Sequence, residues 1–235
     1  MILFMQALPA PLRFDQSVIL LGGGWVDLAL LDHLVRRGMP LIAADGGANC
    51  IADSDVRPHA IVGDLDSLAD PARWRRRSRL LRLDEQDTTD LEKCLYSVDA
   101  PRFVGLGFTG QRLDHTLAAL HVLLRYADSK PVLLAAEQDW VWVPRRSLTL
   151  DLPKGSRLSL YPLARTGFVG SSGLKYPLDD LVLAPGEAIG TSNEVVASPV
   201  QIDFAPDAKP ACALMVPRAG SGLPAPIFDA IAASP

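Results

Sequence analysis

The sequence predicts an α/β fold: an N-terminal domain with a mostly parallel sheet over residues 1–143, followed by an all-β C-terminal domain, a sandwich or barrel, over residues 144–235. Three observations lead there. In the first half, short apolar runs alternate with segments of helical periodicity, as strands and their crossover helices do. After about Trp140 that periodicity stops, and β-type stretches separated by turn residues take over. The apolar runs of the first half also end on glycines or carboxylates, at the edge where open parallel sheets bind their ligands.

Taken in order, Ser17–Leu21 reads as a buried strand and Gly22-Gly23-Gly24 as a turn. Val26–Arg37 reads as a helix with Leu28, Leu31, Leu34 and Val35 on one face, stopped by Gly38. Leu41–Ala44 is the next strand, ending at Asp45-Gly46-Gly47, and Ala60–Val62 is the third, ending at Gly63-Asp64. Leu91–Val98 reads as helix, with Thr89 and Glu92 spaced as a capping box. Arg102–Gly105 is a strand, and Leu113–Tyr126 is a helix carrying Leu113, Leu117, Leu120 and Leu124 in register. Trp140 and Trp142 alternate along a further strand and read as packing residues. The second half then offers SLTLDLP, SRLSLYPL, LDDLVL and VQIDFA, with PKG, TG, SSG, APG and APD between them. The boundary falls near residues 140–147.

The totals narrow the function. With 235 residues, 49% hydrophobic and 21% charged, the chain is globular and long enough for a substantial core. A net charge of −4 supplies no general attraction for nucleic acid or an anionic membrane. The run RWRRRSRLLR at 73–82 carries six arginines, but no aromatic platform is interleaved, so it reads as a solvated helix face. No apolar stretch reaches the length of a membrane span. The opening MILFMQALPAPLRF lacks a basic segment and is broken by Pro9 and Pro11, unlike a signal peptide. Cys50, Cys94 and Cys212 form neither a disulfide framework nor a metal pair, which points to a reducing, cytoplasmic setting, with Cys94 buried and inert.

The chemistry sits at the strand ends. Gly22-Gly23-Gly24 lies between a strand and a helix, where backbone N–H groups can face a phosphate or simply form a tight turn. Asp45-Gly46-Gly47-Ala48-Asn49 is either a polar turn with an Asn helix cap or a ligand site. In IVGDLDSLADP, at 61–71, Asp64 and Asp66 stand two apart, so in an extended segment both carboxylates face one way. Left alone they repel, whereas one hard cation such as Mg2+ reconciles them. The alternative is a solvated turn in which Asp66 or Ser67 caps the next helix. Asp84–Asp90 places four acids and two hydroxyls before a helix, favoured there by the helix dipole or serving to add a carboxylate to a metal. After the next strand, a glycine-rich turn leads to Arg112, whose planar fork suits phosphate oxygens, and to Asp114 and His115 in the same helical turn.

GDLDS at 63–67, DEQDTTDLEK at 84–93, GQRLDHTLAAL at 110–120 and TSNE at 191–194 resemble the thiamine pyrophosphokinase (thiamine diphosphokinase) family, in that family's order, as do ADGGAN at 44–49 and GLKYPL at 173–178. The resemblance runs from about Gly22 to Asn193. It implies an N-terminal domain that binds ATP, a β domain contributing to the thiamine site, and a homodimer with active sites between subunits. The implied reaction moves the pyrophosphoryl group of ATP to the hydroxyl of thiamine and releases AMP. Asp64, Asp66 and Asp90 would hold Mg2+. Gly23, Asp45, Gln86, Thr89 and Arg112 would meet ATP, and Gln86, Asp114, Ser192 and Asn193 the acceptor, with Asp64, Asp66, Asp90, Arg112 and Asp114 the catalytic set. Asp114 or Asp90 would take the hydroxyl proton, and His115, one residue from Asp114 on a helix, would point elsewhere in a structural role.

Two departures from the family pattern bear on the acceptor side. The final strand region, ASPVQIDFAPDAKPACALMVPR, is Pro-rich where the family has a glycine–aliphatic run. No Trp follows Trp142, so Phe204 or Tyr176 would stand in for the aromatic that stacks on thiamine. The tail GSGLPAPIFDAIAASP is a free extension or a short docked helix. Two rival readings remain: a glycosyltransferase holding a nucleotide-sugar diphosphate on the same DxD, and a nucleotide- or thiamine-binding module without catalysis.

Overall fold

The structure is a computed structural model that describes residues 10–206, 210–218, 222–225, 227 and 228. The opening nine residues read above against a signal peptide, and much of the tail, lie outside the described residues.

In chain order the first half runs β1 (Leu12–Arg13), β2 (Val18–Leu21), α1 (Leu28–Arg36), β3 (Leu41–Ala44), a 3-10 helix (Asp45–Ile51) and β4 (Ala60–Gly63). It continues with α2 (Pro71–Arg75), β5 (Arg79–Arg82), α3 (Asp90–Ser97), β6 (Val98–Asp99), β7 (Phe103–Leu106), α4 (Leu113–Tyr126), β8 (Val132–Ala135) and β9 (Asp139–Trp142). The second half contains β10 (Leu148–Leu150), β11 (Arg157–Pro162), β12 (Thr166–Ser172), β13 (Val182–Leu183), β14 (Gly190–Glu194), β15 (Val200–Phe204) and β16 (Cys212–Pro217).

A ten-stranded mixed sheet is the frame, in the order β14-β11-β16-β9-β8-β7-β2-β3-β4-β5. From β8 to β5 the pairings are parallel, while β9, β16, β11 and β14 join antiparallel. A second, antiparallel sheet has the order β10-β15-β12-β13. Three of the second half's strands therefore extend the first half's sheet. The cause lies at residues 136–138: Ala136 N–H donates to Asp139 O at 2.8 Å, the chain reverses, and β9 covers the edge of β8 that would otherwise stay unpaired.

Strands β2, β3, β4, β7 and β8 are buried along their whole length, as central strands covered on both faces must be. On one face Ile19, Leu21, Ala43, Ile61, Val104 and Leu133 meet Leu30, Leu31 and Leu34 of α1. That same apolar cluster continues through Trp140, Trp142, Leu158, Leu160 and Leu214 to Leu150, Phe168, Val200, Ile202 and Phe204 of the second sheet. On the opposite face Val18, Leu20, Ile42, Val62 and Phe103 meet α3 and α4.

Several local expectations need correction. Leu28 does not join the buried face of α1; it is exposed, and Leu30 is buried instead. In α4 the core face is Ala119, Val122 and Leu123, and the expected stripe is half outside: Leu113 is 74% and Leu117 55% exposed. The start of α4 overhangs a cleft rather than the sheet, so among the described residues nothing covers Leu113 and Leu117. The arginine run is helical only to Arg75; Arg79–Arg82 is β5, the edge strand, where charges discourage pairing with another chain. Within it Arg77 stacks over Trp74 and donates to Ala52 O and Ser54 O, so it is a tie rather than a free surface charge. Asp70, not Asp66 or Ser67, caps α2. Thr89 caps α3 as expected, accepting from Glu92 N–H, but the Glu92 carboxylate turns away to Arg125 (2.8 Å) and Tyr126. Cys94 and Cys212 are buried, and Cys50 is exposed.

Candidate active site

Consecutive steps from β2 go one way, to β3, β4 and β5, and the chain then returns to the other side of β2 as β7. A crevice must open at that switch, above the C-terminal strand ends. It does: a cleft of about 580 Å3 is lined by the residues that follow β2, β3, β4 and β7 together with the start of α3 and α4.

The glycines build its floor by letting two turns touch. Gly22 N–H donates to Leu106 O (2.8 Å) and Gly24 N–H to Gly107 O (2.7 Å), while Gly107 sits at φ 78°. A Cβ on Gly24 would lie 2.9 Å from Gly107 O, so a side chain there forces the turns apart. Two of the three amides expected to face a phosphate are thus already bonded. At Gly23 the nearest atom to an added Cβ is 3.8 Å away, so its face is open to the cleft.

The acids converge because β3 pairs with β4. Asp45, at φ 42°, leans over Gly63, where a Cβ would lie 2.8 Å from its own Cβ. Asp45, Asp64 and Asp66 bring carboxylate oxygens within 4.8 Å of one another. Asp45 is 3% exposed; Oδ2 accepts from Ser67 N–H at 3.4 Å and, among the described residues, Oδ1 has no partner. Burial, reinforced by Asp90, Asp64 and Asp66, pushes its carboxyl up to about 7. Asp64 accepts from Gln86 Nε2 at 2.8 Å, the main reason its carboxyl is held below the usual range. Asp66 accepts from Ser67 Oγ at 2.9 Å. Three like charges, one of them desolvated and with an orphan oxygen, fit a hard divalent cation with all-oxygen ligands. The sequence expectation was Asp64, Asp66 and Asp90; the convergent set among the described residues is Asp45, Asp64 and Asp66. Asp90 also lines the cleft, its carboxyl raised by burial and by Asp64 and Asp66.

One further residue escaped the reading of the sequence, and another has a different role from the cap it offered. Lys93 is buried, lines the cleft and stands 3.9 Å from both Asp64 and Asp90, an internal cation among the acids. Its place one helical turn after Asp90 was the available signal. Asn49 is not a helix cap: Nδ2 donates to Ser67 O and Oδ1 accepts from Ala69 N–H, both at 2.9 Å, pinning the turn that carries Asp64 and Asp66.

Gln86, Thr89 and Arg112 line the cleft with Gly23 and Asp45; Asp114, Ser192 and Asn193 do not. His115, expected to point elsewhere, lines it, because Arg112, His115 and Ala119 follow the helical period on one face of α4. Asp114 is one position off that face and pairs with Arg112 at 2.6 Å. On β14, Ser192 holds φ 61° and is exposed. Asn193 is buried, accepting from Tyr176 N–H (3.1 Å) and donating to Tyr176 O (2.7 Å). The Tyr176 ring is thereby held 60% exposed, whereas Phe204 packs on Phe168 in the core.

Comparison with known proteins adds relatives. The family model described as the catalytic domain of thiamin pyrophosphokinase matches residues 31–134, and that of its vitamin B1 binding domain matches residues 147–207. Thiamin pyrophosphokinase 1 of Caenorhabditis elegans is 34% identical over 187 residues, 72% of this chain and 76% of that protein. Thiamine pyrophosphokinase 1 of Arabidopsis thaliana is 27% identical over 217 residues, 75% and 81% of the two chains. The crystal structure of thiamin pyrophosphokinase from Geobacillus thermodenitrificans superposes with a TM-score of 0.70 at 24% identity, covering 88% of this chain and 99% of that one. The yeast thiamin pyrophosphokinase structure gives 0.72 at 16% identity, covering 90% and 92%. At such identities the structural likeness speaks for the fold.

Proposed function

The chain belongs to the thiamin pyrophosphokinase family, and on that premise we propose that its cleft is the nucleotide and metal half of the active site. The protein transfers the pyrophosphoryl group of ATP to the hydroxyl of thiamine, giving thiamine diphosphate and AMP. The observation that carries the assignment of the cleft is the convergence of Asp45, Asp64 and Asp66 around a buried, unpartnered carboxylate oxygen.

In this reading Asp45, Asp64 and Asp66 hold Mg2+, which when bound neutralises charge on the phosphate oxygens. Gln86 orients Asp64, and Asn49 fixes the turn beneath it. Gly23 and the Gly107–Arg112 turn receive the phosphates, with the Arg112 guanidinium, paired here with Asp114, turning to their oxygens and Thr89 beside them. The thiamine oxygen bonds to the β-phosphorus as its bond to the α-bridging oxygen breaks, and AMP departs with that electron pair. Asp90, outside the convergent triad, takes the hydroxyl proton. Positioning and charge account for such a transfer with little covalent work by the protein. Nothing in the cleft favours a nucleotide-sugar donor.

Residues 1–143 then form the nucleotide-binding unit and 144–235 the acceptor side and dimer interface. Support for a homodimer comes from topology. β14, with Ser192 and Asn193, stands seven strand positions from β3, which leads into Asp45, roughly 34 Å at the ~4.8 Å spacing of paired strands. If both ends act on one thiamine, a second copy supplies the far one, and Tyr176 is the exposed aromatic held there to meet its ring. The exposed Leu113 and Leu117 beside the cleft suit burial in that interface. Among the described residues no helix is long and apolar enough to cross a membrane; Cys50 is exposed and Cys94 and Cys212 are buried, all three as free thiols, which suits a reducing, cytoplasmic setting. Incubating the purified protein with ATP, Mg2+ and thiamine tests the reaction: AMP and thiamine diphosphate are expected in equal amounts, and ADP with thiamine monophosphate would overturn it.

A further inference from the structure

Arg218 follows β16 and is separated from Asp27 by 191 residues in sequence, yet the two form an ion pair. The Arg218 side chain is 6% exposed. Its guanidinium lies over two indoles, 5.5 Å from the ring centroid of Trp25 and 5.2 Å from that of Trp140. Nη1 donates to Ala136 O at 2.9 Å, and the backbone N–H donates to Gln138 O at 2.9 Å. Among the described residues Nε is buried without a partner. A desolvated cation with one unsatisfied donor is a costly way to fill space, and an apolar side chain would pack there more cheaply. What a planar, forked cation provides is a fixed orientation for everything it touches.

What it touches leads to the cleft. Asp27 also accepts from Leu30 N–H at 3.0 Å and so caps α1, the helix entered from the Gly22–Gly24 turn. Trp25, immediately after that turn, donates its N–H to Thr109 O at 3.3 Å, and Gly110 lies so close that an added Cβ would be 3.2 Å from the Trp25 Cβ. The second turn, which ends on Arg112, therefore leans on Trp25. We propose that Arg218 is a positioning residue for ATP: stacked against Trp25 and Trp140 and paired with Asp27, it sets the entry to α1 and with it both glycine turns of the cleft. The C-terminal strand thereby helps shape the nucleotide side. This rests on the reading that those turns receive ATP.

The test uses the full-length protein with Arg218→Met and Arg218→Lys, measuring KM for ATP, KM for thiamine, kcat and Tm. Arg218→Met is expected to raise KM for ATP by about five- to tenfold while KM for thiamine stays within about twofold, and Arg218→Lys to restore part of the loss. An unchanged KM for ATP in folded Arg218→Met, or an equal rise in both KM values, would overturn the proposal, because a purely structural role lowers Tm and active fraction without selecting one substrate. If Arg218→Met does not fold, Asp27→Asn carries the same expectation and the same refutation. Gly23→Ala separates the two layers. If it leaves KM for ATP unchanged, the assignment of the turns to ATP has failed; if it raises KM while the Arg218 variants do not, only the role of Arg218 has failed.

Discussion

Asp45→Asn should make the metal-free protein more stable and the enzyme inactive. Asn keeps the shape of the side chain and removes the charge. The Asp45 carboxyl moves from an ordinary 3.8 to about 7, and about three units at ~1.4 kcal/mol each set a ceiling of roughly 4 kcal/mol on the ionisation penalty. Asp64 and Asp66 are partly solvated and can shift, so about 1–2 kcal/mol is the realistic gain. For a chain of this length that is a rise in Tm of roughly 2–8 °C. The sign follows from proton counting. Between the unfolded value of 3.8 and about 7, the folded protein holds a proton that the unfolded chain has released, so this residue's contribution falls as pH rises through that window. The gain from Asn is therefore complete near pH 8 and absent near pH 4. Thermal melts of both proteins in chelator, across that range, measure it directly. Excess Mg2+ should then raise the Tm of the parent, most at high pH where no proton competes, and leave the variant almost unmoved. A variant less stable than the parent in chelator near pH 8, or one equally stabilised by Mg2+, would refute the reasoning.

Asp64→Asn should leave the circular dichroism spectrum intact and reduce turnover by more than about 100-fold; near-normal product formation would remove Asp64 from the metal site. Gly22→Ala should lower Tm because a Cβ there meets Phe108 at 2.9 Å, whereas Gly23→Ala should keep the parent's Tm and weaken ATP binding by calorimetry; similar behaviour of the two variants would contradict the account of the turns. Mixing inactive Asp64→Asn with an inactive Ser192→Arg variant, after subunit exchange, should recover roughly a quarter of parental activity if each site draws on two chains. No recovery, with mixed dimers demonstrated by mass spectrometry, would return both halves of the site to one subunit. Calorimetric unfolding should be one transition, since a single apolar cluster spans both halves; two resolved transitions would contradict that shared core.

The strands of the first half were legible because each is a short apolar run ended by glycine or a carboxylate, and burial on both faces demands that pattern. Leu113–Tyr126 was legible as a helix to the residue, but not its orientation: the leucine stripe suggested one face, while Ala119, Val122 and Leu123 are the residues buried against the core. β12 and β14 were obscure for another reason. TGFVGSS and GTSNE carry too few alternating apolar residues to register as strands, and their partners, not their own propensity, hold them extended. Asp64, Asp66 and Asp90 could be found by spacing and by motif. Asp45 could not be joined to them, since its membership depends on β3 lying beside β4, a fact of sheet order rather than of local sequence.

The same sheet order explains how the fold tolerates so unfavourable a cleft. Four carboxylates, Asp45, Asp64, Asp66 and Asp90, share the cleft with the single buried ammonium of Lys93. Backbone strain gathers there too: Asp45, Leu65 and Gln111 all take positive φ at 42°, 66° and 41°. None of this touches the strands beneath, whose side chains are buried and whose pairings are regular from β8 to β5. Ladder hydrogen bonds and apolar burial on both faces hold the strand ends in place whatever charge they carry. The acids are thus kept close by the strands themselves, so that on the proposed reading a bound Mg2+ would gain affinity from the repulsion it relieves. Relaxing the cleft, by moving Asp45 away or adding a second lysine, would stabilise the fold and weaken the proposed metal site. A tightly packed scaffold under a repulsive cluster is what this chemistry requires, and in this chain the two belong to different residues: the buried strands β2, β3, β4 and β7, and the turns that follow them.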